Sequence, residues 1–395
     1  MKGRNKNILI VVTWVVLALP GITGAAIVDF TINLNGTQAS TGSTATGTGT
    51  ATVDTETNLF SWNIAFDASA LTNGPASVTA AYFHIGPAGV SGPAITPPGN
   101  VAGAGTSPIA SSATITDANE TKLLSACIYF DIQTTAFPAG EIRGQLIPEK
   151  VTLPAKKDNT IYQSATGTLS NGAGDYLFVG AGGVGSAKRA LLTFDIASSG
   201  IPFGSTITDA KLTLYMSKTS VGPQPVELHR LLKDWGEGAS HAPGEEGSGG
   251  AAAAGDATWL HAFYDTSFWT NVGGDFEPLA SASEIVGAAD FYSWTSQQMA
   301  SDVQSWLDAP SDNPGWLLLG NEAVSSAKRF DSRTNVTVGN RPVLTVQYKA
   351  PCPFALAGDL NSDCRVNFLD FAIIAQNWLT DCNKLPLDAA CMLKP

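Results

Sequence analysis

The sequence predicts a mostly β protein that consists of two β-sandwich regions and a small helical module at the C-terminal end. A length of 395 residues is enough for two or three domains. Forty glycines and a charged fraction of only 14% are typical of short strands joined by tight turns. Phe60, Trp62, Ile64 and Phe66 alternate with small or polar residues, as expected when one face of a sheet is buried.

Residues 1–25 have the layout of a secretory signal peptide. Lys2, Arg4 and Lys6 precede an apolar run from Ile8 to Leu19. This run is shorter than the roughly 20 residues of a membrane span, which favours cleavage over the alternative, a retained anchor. Cleavage would remove three of the 22 basic residues, leaving 19 against 34 acidic residues and a formal charge of −15. We therefore expect a secreted protein without a later membrane span, and neither nucleic acid nor anionic lipid as a partner.

The first sandwich is predicted over residues 26–150. Six segments rich in β-formers are bounded by turn residues: 27–36, 48–54, 59–67, 77–86, 121–134 and 141–148. Lys156 and Lys157 follow Pro154 in a short basic stretch, which predicts a linker over 151–157.

Four residues of this first region could carry chemistry. Glu141 and Arg143 lie two apart on one strand, so they are expected to share a face and to pair with each other or with a neighbouring strand. His84 has no metal-ligand partner at a suitable spacing, and we interpret it as a hydrogen-bonded structural residue. Cys127 lies among apolar residues and is interpreted as a buried thiol.

The second sandwich is predicted over residues 158–349. Its strand segments are 174–180, 189–196, 206–216, 225–232, 315–321, 328–333 and 341–349. Two exceptions interrupt the strand pattern. A Gly- and Ala-rich loop covers 236–255, and Met299, Val303 and Trp306 have the spacing of one helix face over 296–307.

A calcium loop is predicted after a proline-marked linker over 350–357, at the start of a small module over 358–395. Calcium takes six to eight oxygen ligands, and a loop of the EF-hand type supplies them from positions 1, 3, 5, 7, 9 and 12. Those positions hold Asp359, Asn361, Asp363, the backbone carbonyl of Arg365, Asn367 and Asp370. The alternative is a polar turn in which these acids occur by chance.

Four cysteines lie close together in this C-terminal part: Cys352, Cys364, Cys382 and Cys391. In an oxidising compartment they could form two disulfides, which would stabilise a segment too small to fold by burial alone. The sequence leaves the pairing open.

Each of the three regions resembles a known family. Residues 81–89, 129–134 and 137–146, with the Gly-Glu-Ile-Arg-Gly run from Gly140 to Gly144, resemble the chordin-type (CHRD) domain. This resemblance implies an extracellular β-domain for protein binding or surface display. The calcium loop and the helix after it resemble one type I dockerin repeat, which implies docking to a cohesin-like or surface scaffold protein. Cys364 replaces the usual glycine of that loop, and no second repeat follows.

The second region resembles the DNRLRE-type domain, which is related to carbohydrate-binding module family 96. The matching segments include Arg189–Asp195, Ala210–Tyr215, Trp235–Gly238 and Lys328–Arg333. The resemblance implies a jelly-roll-like sandwich, with polysaccharide binding in some relatives.

Sugar binding uses flat apolar rings and planar polar groups, and cations would suit an acidic polysaccharide such as alginate. The candidate glycan-binding residues are Lys188, Arg189, Trp235, Trp259, Lys328, Arg329 and Arg333. The alternative places the tryptophans in the core and pairs the arginines with Asp195 or Asp331.

The combined prediction is a secreted, non-catalytic modular protein, free or attached at the cell surface. It would bind polysaccharide through the second region and a scaffold through the calcium module, and we assign no catalytic residues. One alternative is a structural or adhesive protein that binds other proteins. Another is a polysaccharide hydrolase that uses Glu237, Glu245 or Glu246 near His241 in the 236–255 loop.

Overall fold

Antiparallel β-strands make up most of the described chain. The computed structural model describes residues 26–101, 106–182 and 186–351, together with 371, 372 and 375. The predicted signal peptide, the calcium-binding residues and the four C-terminal cysteines lie outside these residues. Within them, the mostly β prediction is confirmed, and no helix is long and apolar enough to cross a membrane.

The strands of the first region form one antiparallel sheet in the order β4-β6-β7-β1-β2-β3-β5. Its elements are β1 (Ile27–Asn35), β2 (Thr46–Asp54), β3 (Leu59–Phe66), β4 (Val78–Ile85), β5 (Ile109–Thr114), α1 (Asp117–Leu124), β6 (Ile128–Thr134) and β7 (Ile142–Tyr162).

The strand predicted over 121–134 is only partly correct. Its first residues belong to helix α1, and the strand β6 begins at Ile128. The Thr116 side chain accepts a hydrogen bond from the backbone N–H of Asn119 and caps the helix. Asp117 and Glu120 in the first turn also favour the helix, because their negative charges face its positive end.

The second region contains thirteen further strands and one α-helix in the described residues: β8 (Leu169–Ser170), β9 (Tyr176–Ala181), β10 (Ala187–Phe194), β11 (Thr206–Thr219), β12 (Gln224–Arg230), β13 (Gly250–Ala251), β14 (His261–Phe263), β15 (Ser267–Phe268), β16 (Ala282–Val286), β17 (Asp290–Thr295), α2 (Gln297–Asp308), β18 (Trp316–Gly320), β19 (Lys328–Asp331) and β20 (Val343–Lys349). Strand pairing closes a ring in the order β7-β20-β11-β19-β9-β10 and back to β7. Strands β18, β12 and β16 extend the sheet from β10, and β17 extends it from β11.

Strand β7 joins the two regions without a break, so the linker predicted over 151–157 is wrong. Val151 pairs with Val28 of β1 on one side and with Val346 of β20 on the other. Val151, Leu153 and Ala155 alternate inward and belong to one hydrophobic core that contains residues of both regions. Burial of these three side chains stabilises the strand across residues 151–157, where Pro154 and the two lysines had led us to predict a linker.

The tryptophans of the second region lie in the core. Trp294, Trp306 and Trp316 belong to the large core, whereas Trp235, Trp259 and Trp269 form a smaller cluster with Ile161 and Leu191. All six are less than a tenth exposed. Helix α2 begins one residue later than predicted, because Ser296 is its cap and accepts a hydrogen bond from the Met299 N–H.

Candidate functional site

Glu141 is a buried anchor at the end of the first region. Its Oε1 accepts hydrogen bonds from Ser43 Oγ at 2.8 Å, from the Thr72 N–H at 2.7 Å and from Thr72 Oγ1 at 3.0 Å. Its Oε2 accepts from Thr134 Oγ1 at 2.8 Å. Burial by itself would raise the pKa of Glu141, but these hydrogen bonds outweigh burial and lower it. The carboxylate ties three segments together and is not available to a ligand.

Arg143 holds a turn of the chain instead of pairing with Glu141. Its guanidinium lies 3.3 Å from the ring centroid of Tyr129. It donates hydrogen bonds to the carbonyls of Val90 at 2.9 Å and Pro87 at 2.5 Å. Of the two alternatives that the sequence left open, the structure shows contacts with neighbouring strand β6, since Arg143 packs on Tyr129 and Glu141 accepts from Thr134; the two residues do not pair with each other.

His84 belongs to the same network. Its Nδ1 lies 2.9 Å from the carbonyl oxygen of Gly92, its Nε2 lies 3.3 Å from Asp131 Oδ1, and its ring stacks on Tyr129 at 5.0 Å. Burial lowers the pKa of His84, but hydrogen bonding and attraction from Asp131 raise it overall. Cys127 is buried, as predicted, and burial raises the pKa of its thiol, which does not favour a reactive thiolate.

The comparison with known families identifies this first region. Residues 30–146 match the CHRD domain. His84, Glu141 and Arg143 all lie in the matched range, and their contacts hold the turns of this region in place. No curated protein matches the chain. The resemblances of the later regions depend on their sequence motifs alone.

In the second region, two candidate glycan-binding arginines are neutralised by glutamates of the 236–255 loop. Arg333 makes a bidentate ion pair with Glu237, in which Nη2 donates to Oε2 at 2.6 Å. Arg329 Nη1 lies 2.7 Å from Glu245 Oε2. These glutamates, and not Asp195 or Asp331, are the partners.

The candidate lysines differ in their environment. Lys328 is only 1% exposed, and its ammonium donates to the carbonyls of Val221, Gly222 and Gly287 at 3.3, 2.8 and 3.2 Å. Lys188 lies 5.6 Å from the ring of Phe178. Burial lowers the pKa of both ammonium groups. Lys328 is thus a structural residue that holds together two loops, one at Val221 and Gly222 and the other at Gly287.

Trp235 is fully buried and offers no face to a ligand. Its Nε1 donates to the carbonyl of Pro314 at 2.8 Å, and Lys157 Nζ lies 4.5 Å from its ring centroid.

Arg189 and Trp259 are the two candidates that the fold brings together. The Arg189 guanidinium lies 4.7 Å from the Trp259 ring centroid. It donates from Nε to Glu322 at 2.7 Å and from Nη1 to the Gly273 carbonyl at 2.7 Å. Trp259 forms a wall of an open depression of about 370 Å³, which we call the Trp259 hollow. Its lining residues are Gln163, Ser164, Ala165, Trp259, Leu260 and Val272.

The lining of the Trp259 hollow offers both apolar and polar contacts. Val272 is 65% exposed and Leu260 is partly buried. The side-chain oxygen of Gln163 accepts from the Ala187 N–H at 3.0 Å, whereas its Nε2 has no partner among the described residues. The hollow can therefore pack against an apolar ring face and donate to a hydroxyl at its edge.

The carboxylates of the 236–255 loop, proposed for the hydrolase alternative, have structural contacts. Glu246 is buried and accepts from Asn171 Nδ2 at 2.8 Å and from the N–H groups of Asp175 and Tyr176 at 3.1 and 3.0 Å. His241 Nε2 lies 3.2 Å from Glu246 Oε1. In the described ranges, no group of three His, Cys, Asp or Glu side chains could hold a metal ion.

Asp158 is a buried acid whose role the sequence did not indicate. Its Oδ2 accepts from the Arg333 N–H at 2.7 Å, and Glu237 accepts from the Asp158 N–H at 2.8 Å. Burial, with repulsion from Glu237, raises the pKa of Asp158 to about 7 despite the hydrogen bond and the positive charge of Arg333.

Proposed function

We propose that this is a secreted, non-catalytic modular protein that binds polysaccharide through the Trp259 hollow. The observation that carries the proposal is that Trp259, a candidate from the sequence, lines a hollow of about 370 Å³ together with exposed Val272 and with Gln163, whose Nε2 has no partner among the described residues. Ligand sites usually occupy some 300 to 1,000 Å³ and combine apolar walls with a few polar groups, as this hollow does. The jelly-roll-like character of the second region and its kinship with carbohydrate-binding modules are part of this proposal.

The contacts of the loop glutamates favour binding over catalysis. Glycoside hydrolysis needs one carboxyl group that can protonate the leaving oxygen and a second that acts as base or nucleophile. Glu237 and Glu246 are engaged with Arg333 and with backbone N–H groups, respectively.

A point charge in the hollow tests the proposal. Val272→Glu places a carboxylate on an exposed position of the lining, so the fold should be kept while sugar binding is lost. Val338→Glu is a matched control, since Val338 is 68% exposed and does not line the hollow. Full-length protein would be screened on a glycan array, and the hits measured by titration calorimetry. Binding that both variants lose equally, or that neither loses, would contradict the assignment of the hollow.

The C-terminal module is proposed to bind calcium and to attach the protein to a cohesin-like or surface scaffold. The oxygen-bearing residues from Asp359 to Asp370 at EF-hand spacing support this step. Calcium titration of full-length protein should give one site, which Asp363→Ala should abolish. An unchanged affinity in Asp363→Ala would argue for the polar turn instead.

A structural or adhesive role is a second candidate, and the continuous strand β7 favours it. A strand shared by two regions makes a stiff connection, which suits a spacer that displays the CHRD domain. This role would be favoured if the protein bound no glycan on the array and did bind a surface protein.

A further inference from the structure

Arg230, the last residue of β12, has a guanidinium without a charged partner in the described part of the chain. The group lies 5.8 Å from the ring centroid of buried Trp306, and it makes no hydrogen bond or ion pair with the described residues. Arg189, Arg329 and Arg333 each bind a glutamate. Arg230 therefore keeps an uncompensated positive charge in a partly buried position.

This charge lies at a second and larger depression of about 640 Å³, which we call the Arg230 cleft. Its lining residues are Lys156, Lys157, Thr193, Arg230, Leu231, Leu232, Asp234, Ser311, Asp312, Asn313 and Pro314. None of them lines the Trp259 hollow, so the two depressions are separate sites.

A β-bulge explains how two consecutive lysines reach one cleft. Along a regular strand, neighbouring side chains point to opposite faces. Between β7 and β10 the register moves from Lys157 opposite Thr193 to Ala155 opposite Phe194, which leaves Lys156 as the extra residue. Such bulges redirect side chains, and here both Lys156 and Lys157 line the cleft.

The lysines are held by acids, which leaves Arg230 as the unpaired cation among the described lining residues. Lys156 Nζ lies 2.9 Å from Asp195 Oδ2, and Lys157 Nζ lies 2.6 Å from Asp234 Oδ1. The remaining acid, Asp312, is exposed and accepts from Ser311 Oγ at 3.1 Å.

We propose that the Arg230 cleft binds an acidic saccharide, with Arg230 holding the carboxylate of a uronic acid unit. A planar guanidinium matches a carboxylate through two parallel hydrogen bonds. Ser311 and Asp312 are exposed at the cleft and can accept hydrogen bonds from sugar hydroxyls, whereas the ionised side chain of an acidic peptide has no hydrogen to donate. The inference goes beyond the proposed function, because neither the site nor the charge of the ligand depends on the Trp259 hollow.

The test compares three probes on full-length protein by titration calorimetry: an oligogalacturonate, its fully methyl-esterified form and polyglutamate. The oligogalacturonate should bind at least tenfold more tightly than the ester, because a hydrogen-bonded charge pair contributes that much or more. Arg230→Gln should remove this difference, and Arg230→Lys should restore part of it. Arg329→Gln, which removes an arginine already bound to Glu245, should leave it unchanged.

Two results would overturn the inference: unchanged oligogalacturonate affinity in Arg230→Gln, or polyglutamate binding as tight as oligogalacturonate binding. A melting curve of each variant separates loss of binding from loss of the fold. Val272→Glu keeps this test distinct from that of the Trp259 hollow, since it should leave the Arg230 cleft intact.

Discussion

Replacement of Asp158 by asparagine should change how the stability of this protein depends on pH. The pKa of the buried carboxyl is raised from an ordinary value near 3.8 to about 7. At pH values well below 3.8 the group is protonated in both the folded and unfolded states. Between the two pKa values it keeps its proton only when folded, so the free energy of unfolding falls as pH rises. A pKa difference of about three corresponds to about 4 kcal/mol, lost in full above pH 7.

The asparagine side chain introduced by Asp158→Asn would keep an oxygen to accept from the Arg333 N–H and would carry no charge at any pH. The free energy of unfolding of both proteins would be measured by urea denaturation at intervals from pH 4 to pH 8. The wild-type value minus the variant value should fall by about 4 kcal/mol over this interval and then level off. Asp312→Asn, at an exposed position, serves as the control and should show no such trend. A difference between wild type and Asp158→Asn that stays constant across the interval would refute the reasoning.

Three further predictions concern residues that the structure assigns to stability. Glu141→Ala should lower the free energy of unfolding by about 3 kcal/mol in urea denaturation at pH 7, because four donors lose a buried acceptor. Lys328→Met should lower it by about 2 kcal/mol and leave glycan binding unchanged, because three carbonyls lose their donor. Val151→Pro should lower the melting temperature of one calorimetric transition that includes both regions, since proline removes an N–H from β7 where it pairs on both sides.

Each of the three has a result that would count against it. If Glu141→Ala were as stable as wild type, the four donors would have to form equally favourable hydrogen bonds with water. If Lys328→Met folded but lost glycan binding, Lys328 would have to be assigned a role in binding. Two separate transitions, of which Val151→Pro shifts only one, would show that the shared strand does not couple the regions.

The strands could be predicted locally, because a strand with one buried face has apolar and polar residues in alternation, and this alternation is visible in the sequence. The segments around Phe60, Leu191 and Leu344 are strands in the structure, and α2 lies within one residue of its predicted position. The linker prediction failed for a different reason. Lysines and a proline within a strand look like a connection when read locally, whereas Val151 and Leu153 are buried by strands distant in the chain.

The candidate binding residues were harder to predict, because their availability depends on acids far away in sequence. Glu322 lies 133 residues from Arg189, and Glu237 lies 96 residues from Arg333. An arginine that is neutralised within the fold and one that is free look the same in a sequence. Arg230 was not among the candidates, since its two neighbours Leu231 and Leu232 made the segment look like an ordinary strand.

The pairing of charges gives a physical criterion for where ligands bind on this protein. A buried arginine with a carboxylate partner already has its favourable interactions, and a ligand that displaced the partner would have to replace them. Arg230 has no such partner among the described residues, and a ligand carboxylate there adds an interaction without removing one. The same reasoning explains why Glu141 and Arg143, the most specific residues of the CHRD resemblance, do not form a site: their hydrogen bonds are made within the domain. A motif of charged residues therefore indicates function only where the fold leaves a charge unpaired.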